Sequence, residues 1–294
     1  MMALRPAMTE ADPRPIAAIV LAAGKGTRMR SARHKVLHEI AGRPMIEHLL
    51  ASLAELAPAR TVVVVGEGRE QLEAALAGRA DFAVQHPQLG TGHAVQQAEA
   101  ALAGFDGDVL VLYGDVPFVR GATMRAMIER LRADDLPEAV VLAFEPDDPL
   151  QYGRVLATGD KITWMVEHKD ADDSQRACRL CNSGLLAARS DTLFELLGRV
   201  GNDNAQGEYY LPEIVNIAIS EGRQCAVIAT DDPDEVAGIN SRAELAEAEA
   251  RWLSSASLCS TIQAILSPVA MTRPYCSGSS GSKASTTASG SPSP

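Results

Sequence analysis

Short apolar runs rich in Val, Ile, Leu and Ala recur along the first half of the chain, each followed by a stretch with helical spacing. Ala17–Leu21, Thr61–Val65, Asp108–Leu112 and Ala139–Phe144 read as buried strands, and Val84-Gln85 closes a shorter one. Between them, Pro44–Leu56, Glu70–Ala77, Gly92–Leu102 and Thr123–Leu131 read as helices. Parallel strands need long crossovers, and these helical stretches supply them. The alternation therefore predicts βαβ units in an α/β fold with a Rossmann-like, doubly wound, mostly parallel sheet. Aromatic residues make up only 4% of the sequence, so small and branched aliphatics must fill the core. In an open sheet of this kind, ligands bind beyond the carboxyl ends of the strands.

From about Gln151 the rhythm changes. Gly153–Val155, Ile162–Glu167 and Leu185–Ala188 look like strands separated by turns, which suggests an antiparallel insertion. Helices are expected at Thr192–Val200, Pro212–Glu221 and Arg242–Trp252, and a further strand at Cys225–Thr230. Residues 1–14 read as a flexible leader, 15–252 as the folded domain and 253–294 as a tail. From Ser277 that tail is mostly Ser, Gly, Thr and Pro, too little apolar surface to offset ordering entropy, so it is expected to be largely disordered.

Charge narrows the partners. With 38 acidic and 27 basic residues the formal charge is −11, which argues against nucleic acid or an anionic membrane. No apolar run approaches the ~18 residues of a membrane span. Ile16–Ala23 is too short for a signal-peptide core and reads as the first strand of a cytoplasmic enzyme. The cysteines number five, irregularly spaced, which does not suggest a disulfide framework; Cys178-Arg-Leu-Cys181 reads as structural.

Polar residues with chemical promise gather at the predicted strand ends. Leu21-Ala-Ala-Gly24-Lys25-Gly-Thr-Arg28-Met29 follows the first strand. Its small residues allow close backbone approach, and its N–H groups suit phosphate oxygens. An ordinary glycine-rich βα turn has the same composition. Lys35, shortly after it, is either a second phosphate clamp or a solvated lysine. Asp115, in Leu112-Tyr113-Gly114-Asp115, stands past the end of an apolar strand, where a carboxylate can hold Mg²⁺ or simply cap a turn. Gln85-His-Pro-Gln88-Leu-Gly90-Thr91-Gly92-His93 offers amides and glycines suited to a pyrimidine edge. His93 is set aside as structural, because phosphoryl transfer needs positioning and charge neutralisation more than a base. In the second half, Glu167-His-Lys-Asp170, Asn182-Ser-Gly184 and Asn204-Ala-Gln-Gly-Glu208-Tyr-Tyr210 could bind sugar hydroxyls or serve as plain turns.

Together and in this order, LAAGKGTRM, HKVLH, QLGTGHA, LYGDVP, YGRV, VEHKDA, NSGLL, NAQGEYYLPEI and AGINSR closely resemble one family. It is the uridyltransferase domain of the bacterial bifunctional N-acetylglucosamine-1-phosphate uridyltransferase/glucosamine-1-phosphate acetyltransferases. The resemblance runs from Ile16 to Trp252 and implies a fold of the nucleotide-diphospho-sugar transferase type. It also implies a reaction: N-acetylglucosamine 1-phosphate attacks the α-phosphorus of UTP, giving UDP-N-acetylglucosamine, a cell-wall and lipopolysaccharide precursor, and pyrophosphate. Carried over, Leu21, Ala22, Ala23, Gly24, Gln85, Gly90 and Thr91 would bind the uridine end. Arg28 and Lys35 would neutralise the triphosphate and carry catalysis. Tyr113 and Gly114 would line the nucleotide site, while Asp115 and Asn240 would hold Mg²⁺. Gly153, Glu167 and Asn182, with Asn240 beside them, would fix the sugar. Family members continue into a β-helix of hexapeptide repeats, whereas Ser254–Pro294 does not match the family's linker. A monomer without acetyltransferase activity is therefore expected. Two other readings remain open, a pyrophosphorylase for a different sugar phosphate and a non-catalytic nucleotide-sugar-binding domain.

Overall fold

The run around Ala17–Leu21 forms a strand with both faces covered, and the rest of the sheet is ordered around it. The computed structural model describes residues 14–256; the expected leader, apart from Arg14, and the tail beyond 256 lie outside the described residues. In chain order the strands are β1 (Ile16–Ala22), β2 (Glu39–Ile40), β3 (Arg43–Pro44), β4 (Arg60–Val65), β5 (Asp81–Val84), β6 (Asp108–Tyr113), β7 (Ala139–Phe144), β8 (Arg154–Thr158), β9 (Lys161–Val166), β10 (Cys181–Arg189) and β11 (Ala226–Thr230). The helices are α1 (Met45–Ala54), α2 (Arg69–Ala75), α3 (Thr91–Gln96), α4 (Gly121–Leu131), α5 (Asp173–Arg176), α6 (Ser190–Leu197), α7 (Glu213–Ser220) and α8 (Arg242–Ala256). By contacts the chain divides into two units, one ending at Leu253 and one beginning at Ser254.

A nine-stranded sheet runs in the order β5-β4-β1-β6-β10-β7-β11-β9-β8, and β2 pairs separately with β3. β5, β4, β1 and β6 are mutually parallel, as the βαβ rhythm requires. Residues that alternate along each strand feed opposite faces. Ala17, Ile19, Leu21, Val109 and Val111 enter one core with α3, α6 and α7. Ala18, Val20, Ala22, Leu110 and Leu112 enter the other with α1, α2 and α4. Helix α4 shows how the sequence specifies this layering. Its buried Met124, Met127, Ile128 and Leu131 recur at helical spacing and form one apolar stripe against the sheet.

The predicted antiparallel insertion is not set apart from the parallel sheet. β10 is hydrogen-bonded between β6 and β7, antiparallel to both, and β9 and β8 extend the edge beyond β11. Strand alternation alone does not reveal this placement, because Leu186 and Ala188 serve one core and Leu185 and Ala187 the other wherever β10 is inserted. The helix expected over Gly92–Leu102 also divides, stopping at Gln96 and resuming as a single 3₁₀ turn at Ala100–Leu102.

A third apolar cluster ties α8 to the strand ends. Leu245, Ala248 and Trp252 pack with Met29, Met45 and Ile239, and the Trp252 ring stacks on Phe118 at 5.3 Å between centroids. Among the described residues no helix is long and apolar enough to cross a membrane. Cys178, Cys181 and Cys225 are free thiols; the Cys178 thiol contacts the Val155 carbonyl at 3.5 Å, and Cys181 is a buried strand residue.

Candidate active site

β1, β5 and β6 end on the same side of the sheet, and a cavity of about 350 Å³ opens there. Leu21 to Gly24 form one wall, where a Cβ added to Gly24 would meet no protein atom within 4 Å. Gln85 stands at the end of β5, held by its backbone N–H to the Val65 carbonyl at 2.8 Å. Gly90, Thr91 and Tyr113 complete the opposite side, and Lys35 and Asp115 supply its charge. These are the nucleotide-side residues expected from sequence, apart from Gly114, which acts as a spacer. Its N–H bonds the Leu21 carbonyl at 2.9 Å, and an added Cβ would press on Val36 at 3.3 Å.

Lys35 is the electrostatic centre. Its ammonium donates to Asp115 Oδ2 and, at 2.6 Å, to Asn240 Oδ1. Glycine makes this reach possible: Gly26 has φ +58°, and a Cβ there would come within 2.6 Å of Lys35 Cβ. Asn240 arrives from the far end of the chain because the Ile239 N–H bonds the Asp115 carbonyl at 2.9 Å. Glu244 at the start of α8 then accepts the Asn240 N–H. Two oxygens from residues 125 positions apart (240 − 115) thus meet one point of positive charge. The Asn240 amide belongs with this group and does not line the cavity that holds Glu167.

Arg28 stands outside both linings. It is exposed on the turn Thr27–Met29 and has no hydrogen bond or ion pair among the described residues. Lys25 pairs with Glu67 at 2.9 Å instead of facing the cavity. Met29 anchors this turn in the α8 cluster, while Arg28 is exposed.

A second cavity of about 430 Å³ lies against β9 and α7. Glu167, Asp170, Asn204, Tyr210 and Glu213 line it, with no lysine or arginine among its lining residues. Burial first, then the charges of Asp170 and Glu208, pushes the Glu167 carboxyl above the usual carboxylate range. Glu213 is raised as well, chiefly by burial. Gly153 and Asn182 sit beside Glu167 rather than in this lining. The Asn182 N–H bonds the Gly153 carbonyl at 2.9 Å, and a Cβ on Gly153 would lie 3.2 Å from Glu167 Oε2. Tyr113 lines the first cavity and feels the charge of Glu167. Its ring lies so close to Gly184 (φ +88°) that an added Cβ would reach Cε2 at 2.8 Å. Burial, then the charges of Glu167 and Asp115, raises its phenol, which contacts the Thr91 hydroxyl.

Four lining residues, Val36, Gln88, Ala94 and Glu208, were absent from the sequence-based site, and two of them are polar. Gln88 donates to the Ala23 carbonyl and thereby closes the first cavity against the β1 end. Glu208, read from sequence as part of a sugar-side cluster, lines the first cavity. Its segment is laced to the Gly90 loop by Tyr209 N–H to the Leu89 carbonyl (2.8 Å), Gly92 N–H to the Tyr209 carbonyl (2.8 Å) and Leu211 N–H to the Thr91 hydroxyl (3.0 Å). The only available signal was the pair of glycines: Gly90 (φ +111°) leaves no room for a Cβ, which would meet the Tyr209 carbonyl at 2.6 Å.

Comparison with known proteins follows the same outline. Residues 18–179 match the family of MobA-like NTP transferase domains. The chain is 73% identical over 238 residues to the bifunctional protein GlmU of Novosphingobium aromaticivorans, covering 81% of this chain and 53% of that protein. It is 71% identical to the bifunctional protein GlmU of Sphingopyxis alaskensis, covering 81% of this chain and 52% of that protein. The chain thus spans about half the length of the curated relatives it matches. Among solved structures, a UDP-glucose pyrophosphorylase complexed with UDP-glucose superposes with a TM-score of 0.64 at 18% identity, over 82% of this chain and 99% of that one. The inositol-1-phosphate CTP transferase of T. maritima gives 0.60 at 20% identity, over 80% and 95%. At such identities the structural likeness establishes the fold, a nucleotide-diphospho-sugar transferase type.

Proposed function

We propose a uridylyltransferase reading for this chain, which belongs to the family of MobA-like NTP transferase domains. In this reading it joins UTP to N-acetylglucosamine 1-phosphate, yielding UDP-N-acetylglucosamine and pyrophosphate. The observation that carries it is the meeting of Lys35, Asp115 and Asn240 at the edge of a cavity walled by Leu21–Gly24. The high identity to bifunctional GlmU proteins over the matched half supports the choice of reaction.

Asp115 and Asn240 offer a carboxylate and an amide oxygen, hard donors of the kind Mg²⁺ prefers. Among the described residues no group of three or more His, Cys, Asp or Glu is arranged to hold a metal, so such an ion would complete its shell with phosphate and water. Bound Mg²⁺ would neutralise charge developing on the phosphates. The Lys35 ammonium is placed to pair with the triphosphate as well, and Arg28 would join it from its exposed turn. One oxygen of the sugar phosphate attacks the α-phosphorus, and the bond to the pyrophosphate oxygen breaks. The nucleophile is already anionic, so no side chain needs to remove a proton. Catalysis then rests on alignment and charge neutralisation.

Base recognition falls to Gln85 and Gly90. The Gln85 amide nitrogen is committed to the protein, which leaves Oε1 as a hydrogen-bond acceptor, and the Gly90 N–H has no partner among the described residues. An acceptor and a donor together match the N3–H and O4 edge of uracil. The sugar side falls to Gly153, Glu167 and Asn182, which support selection of a neutral, amide-bearing sugar. Measuring pyrophosphate release from UTP with a panel of sugar 1-phosphates, with and without Mg²⁺, tests the proposal. N-Acetylglucosamine 1-phosphate should far outrun glucose 1-phosphate and require the metal; equal kcat/KM for the two sugars would refute the assignment.

A further inference from the structure

His93 lies outside the predicted site, and its ring does not line either cavity. It is nevertheless joined to a residue that does. Gln85 is only 5% exposed, and its Nε2 makes two contacts, one to the Gly90 carbonyl at 2.9 Å and one to His93 Nδ1 at 3.1 Å. An amide nitrogen carries two protons and no acceptor lone pair, so both contacts use it as donor. His93 Nδ1 must then be the accepting nitrogen, which fixes a neutral ring with its proton on Nε2. Burial favours that neutral form by lowering the imidazole's affinity for a proton. The ring stands 6.4 Å from the Tyr209 ring, and the backbone that carries it is tied by Gln97 Nε2, which donates to the His93 carbonyl at 3.0 Å.

The consequence falls on the other end of the amide. With both protons taken, Oε1 is the free polar atom of Gln85, with no hydrogen-bond partner among the described residues, on a side chain that lines the first cavity. Turned over, the amide would set Oε1 against the Gly90 carbonyl, two acceptors face to face, and could bond His93 Nδ1 only after the ring's proton moved to that nitrogen. It would also present a donor to the base.

We propose that His93 is a positioning residue for base selection, holding the Gln85 amide with its oxygen toward the nucleotide so that a pyrimidine bearing N3–H is accepted and one with an N3 lone pair is rejected. This inference rests on the uridylyltransferase reading and deepens it. Uracil offers the donor that Oε1 needs at N3. Cytosine offers an acceptor there, and its amino group faces the Gly90 N–H with another donor.

The test is the ratio of kcat/KM for UTP to that for CTP in the full chain, a ratio that does not depend on the fraction of protein folded. His93→Ala removes the acceptor and should lower the ratio by about tenfold, the effect of one lost hydrogen bond. His93→Asn carries an oxygen near the place of Nδ1 and should restore most of it. An unchanged ratio in His93→Ala would overturn the proposal. So would an equal loss in both variants, since a purely space-filling role would produce that. A wild-type chain that releases no pyrophosphate from UTP would reject the uridylyltransferase reading itself, and this inference with it.

Discussion

The two cavities differ in charge: one has a lysine among its lining residues, and the other has no lining cation. The first, at the ends of β1, β5 and β6, brings a lysine to its edge and offers backbone groups left open by Gly24 and Gly90. The second, against β9 and α7, gathers Glu167, Asp170 and Glu213 without a lining cation. The first cavity sets one ammonium, Lys35, among two carboxylates, Asp115 and Glu208, whereas the second holds carboxylates alone, so in the proposed reading the phosphates of a nucleotide meet a lining cation only in the first. A neutral sugar, rich in hydroxyl donors, finds acceptors in the second. In the proposed reading this contrast would orient a sugar phosphate with its ring toward Glu167 and its phosphate toward Lys35. Tyr113, whose raised phenol stays neutral near Glu167 and Asp115, lines the first without adding charge.

The sharpest way to break this contrast is to remove the charge partner of Lys35. Asp115→Ala leaves the ammonium without its carboxylate and takes away one donor of the proposed metal site. Pyrophosphate release should fall by about 10³-fold, the scale of losing a preorganised electrostatic group. Circular dichroism should report a folded protein. Near-wild-type turnover would mean that the first cavity does not house the reacting phosphates.

A smaller effect tests whether the cavities are functionally separate. Gln85→Ala should raise KM for UTP, and Glu167→Gln should raise KM for the sugar phosphate, each by roughly 10- to 100-fold. The other substrate's KM should move little in each case. Parallel increases in both constants would show that the ligands share one environment and would dissolve the distinction.

These cavities were not equally legible in the sequence. The first could be read from local pattern, because apolar runs such as Asp108–Leu112 end in polar residues at the side of the sheet where ligands bind. Arg28, given a triphosphate role by family resemblance, lies exposed on a turn that Met29 anchors in the α8 cluster. The second cavity depends on long-range pairings that leave no periodic trace. Glu208 joins the first cavity only because the backbones of Leu89–Gly92 and Tyr209 bond across more than a hundred residues. The convergence of Asp115 and Asn240 was likewise reached through family resemblance; no spacing rule relates them. In the fold, the same limit hid the placement of β10, a strand legible at Leu185–Ala188 whose alternation suits any interior position in the sheet.

The smallest effect sharpens the electrostatic contrast through stability. Glu213 is raised above its ordinary value of 4.5, first by burial and then by the charge of Asp170, against an opposing hydrogen bond from Asn216. A carboxyl whose folded pKa is raised is destabilising once ionised. Its favourable contribution is present below the unfolded value and is lost as pH rises through the folded one. Glu213→Gln keeps a group able to accept from Asn216 and cannot ionise. It should leave Tm nearly unchanged near pH 4 and raise it by about 2–4 °C at pH 8. In the first cavity the sign should reverse. Asp115→Asn deprives Lys35 of its ion pair, so Tm at pH 8 should fall, because breaking a partly buried pair leaves one charge uncompensated. Thermal unfolding of the two variants at both pH values separates these outcomes. Shifts of the same sign at pH 8 would mean that the carboxylates of the two cavities meet the same environment, contrary to the plan inferred from their neighbours.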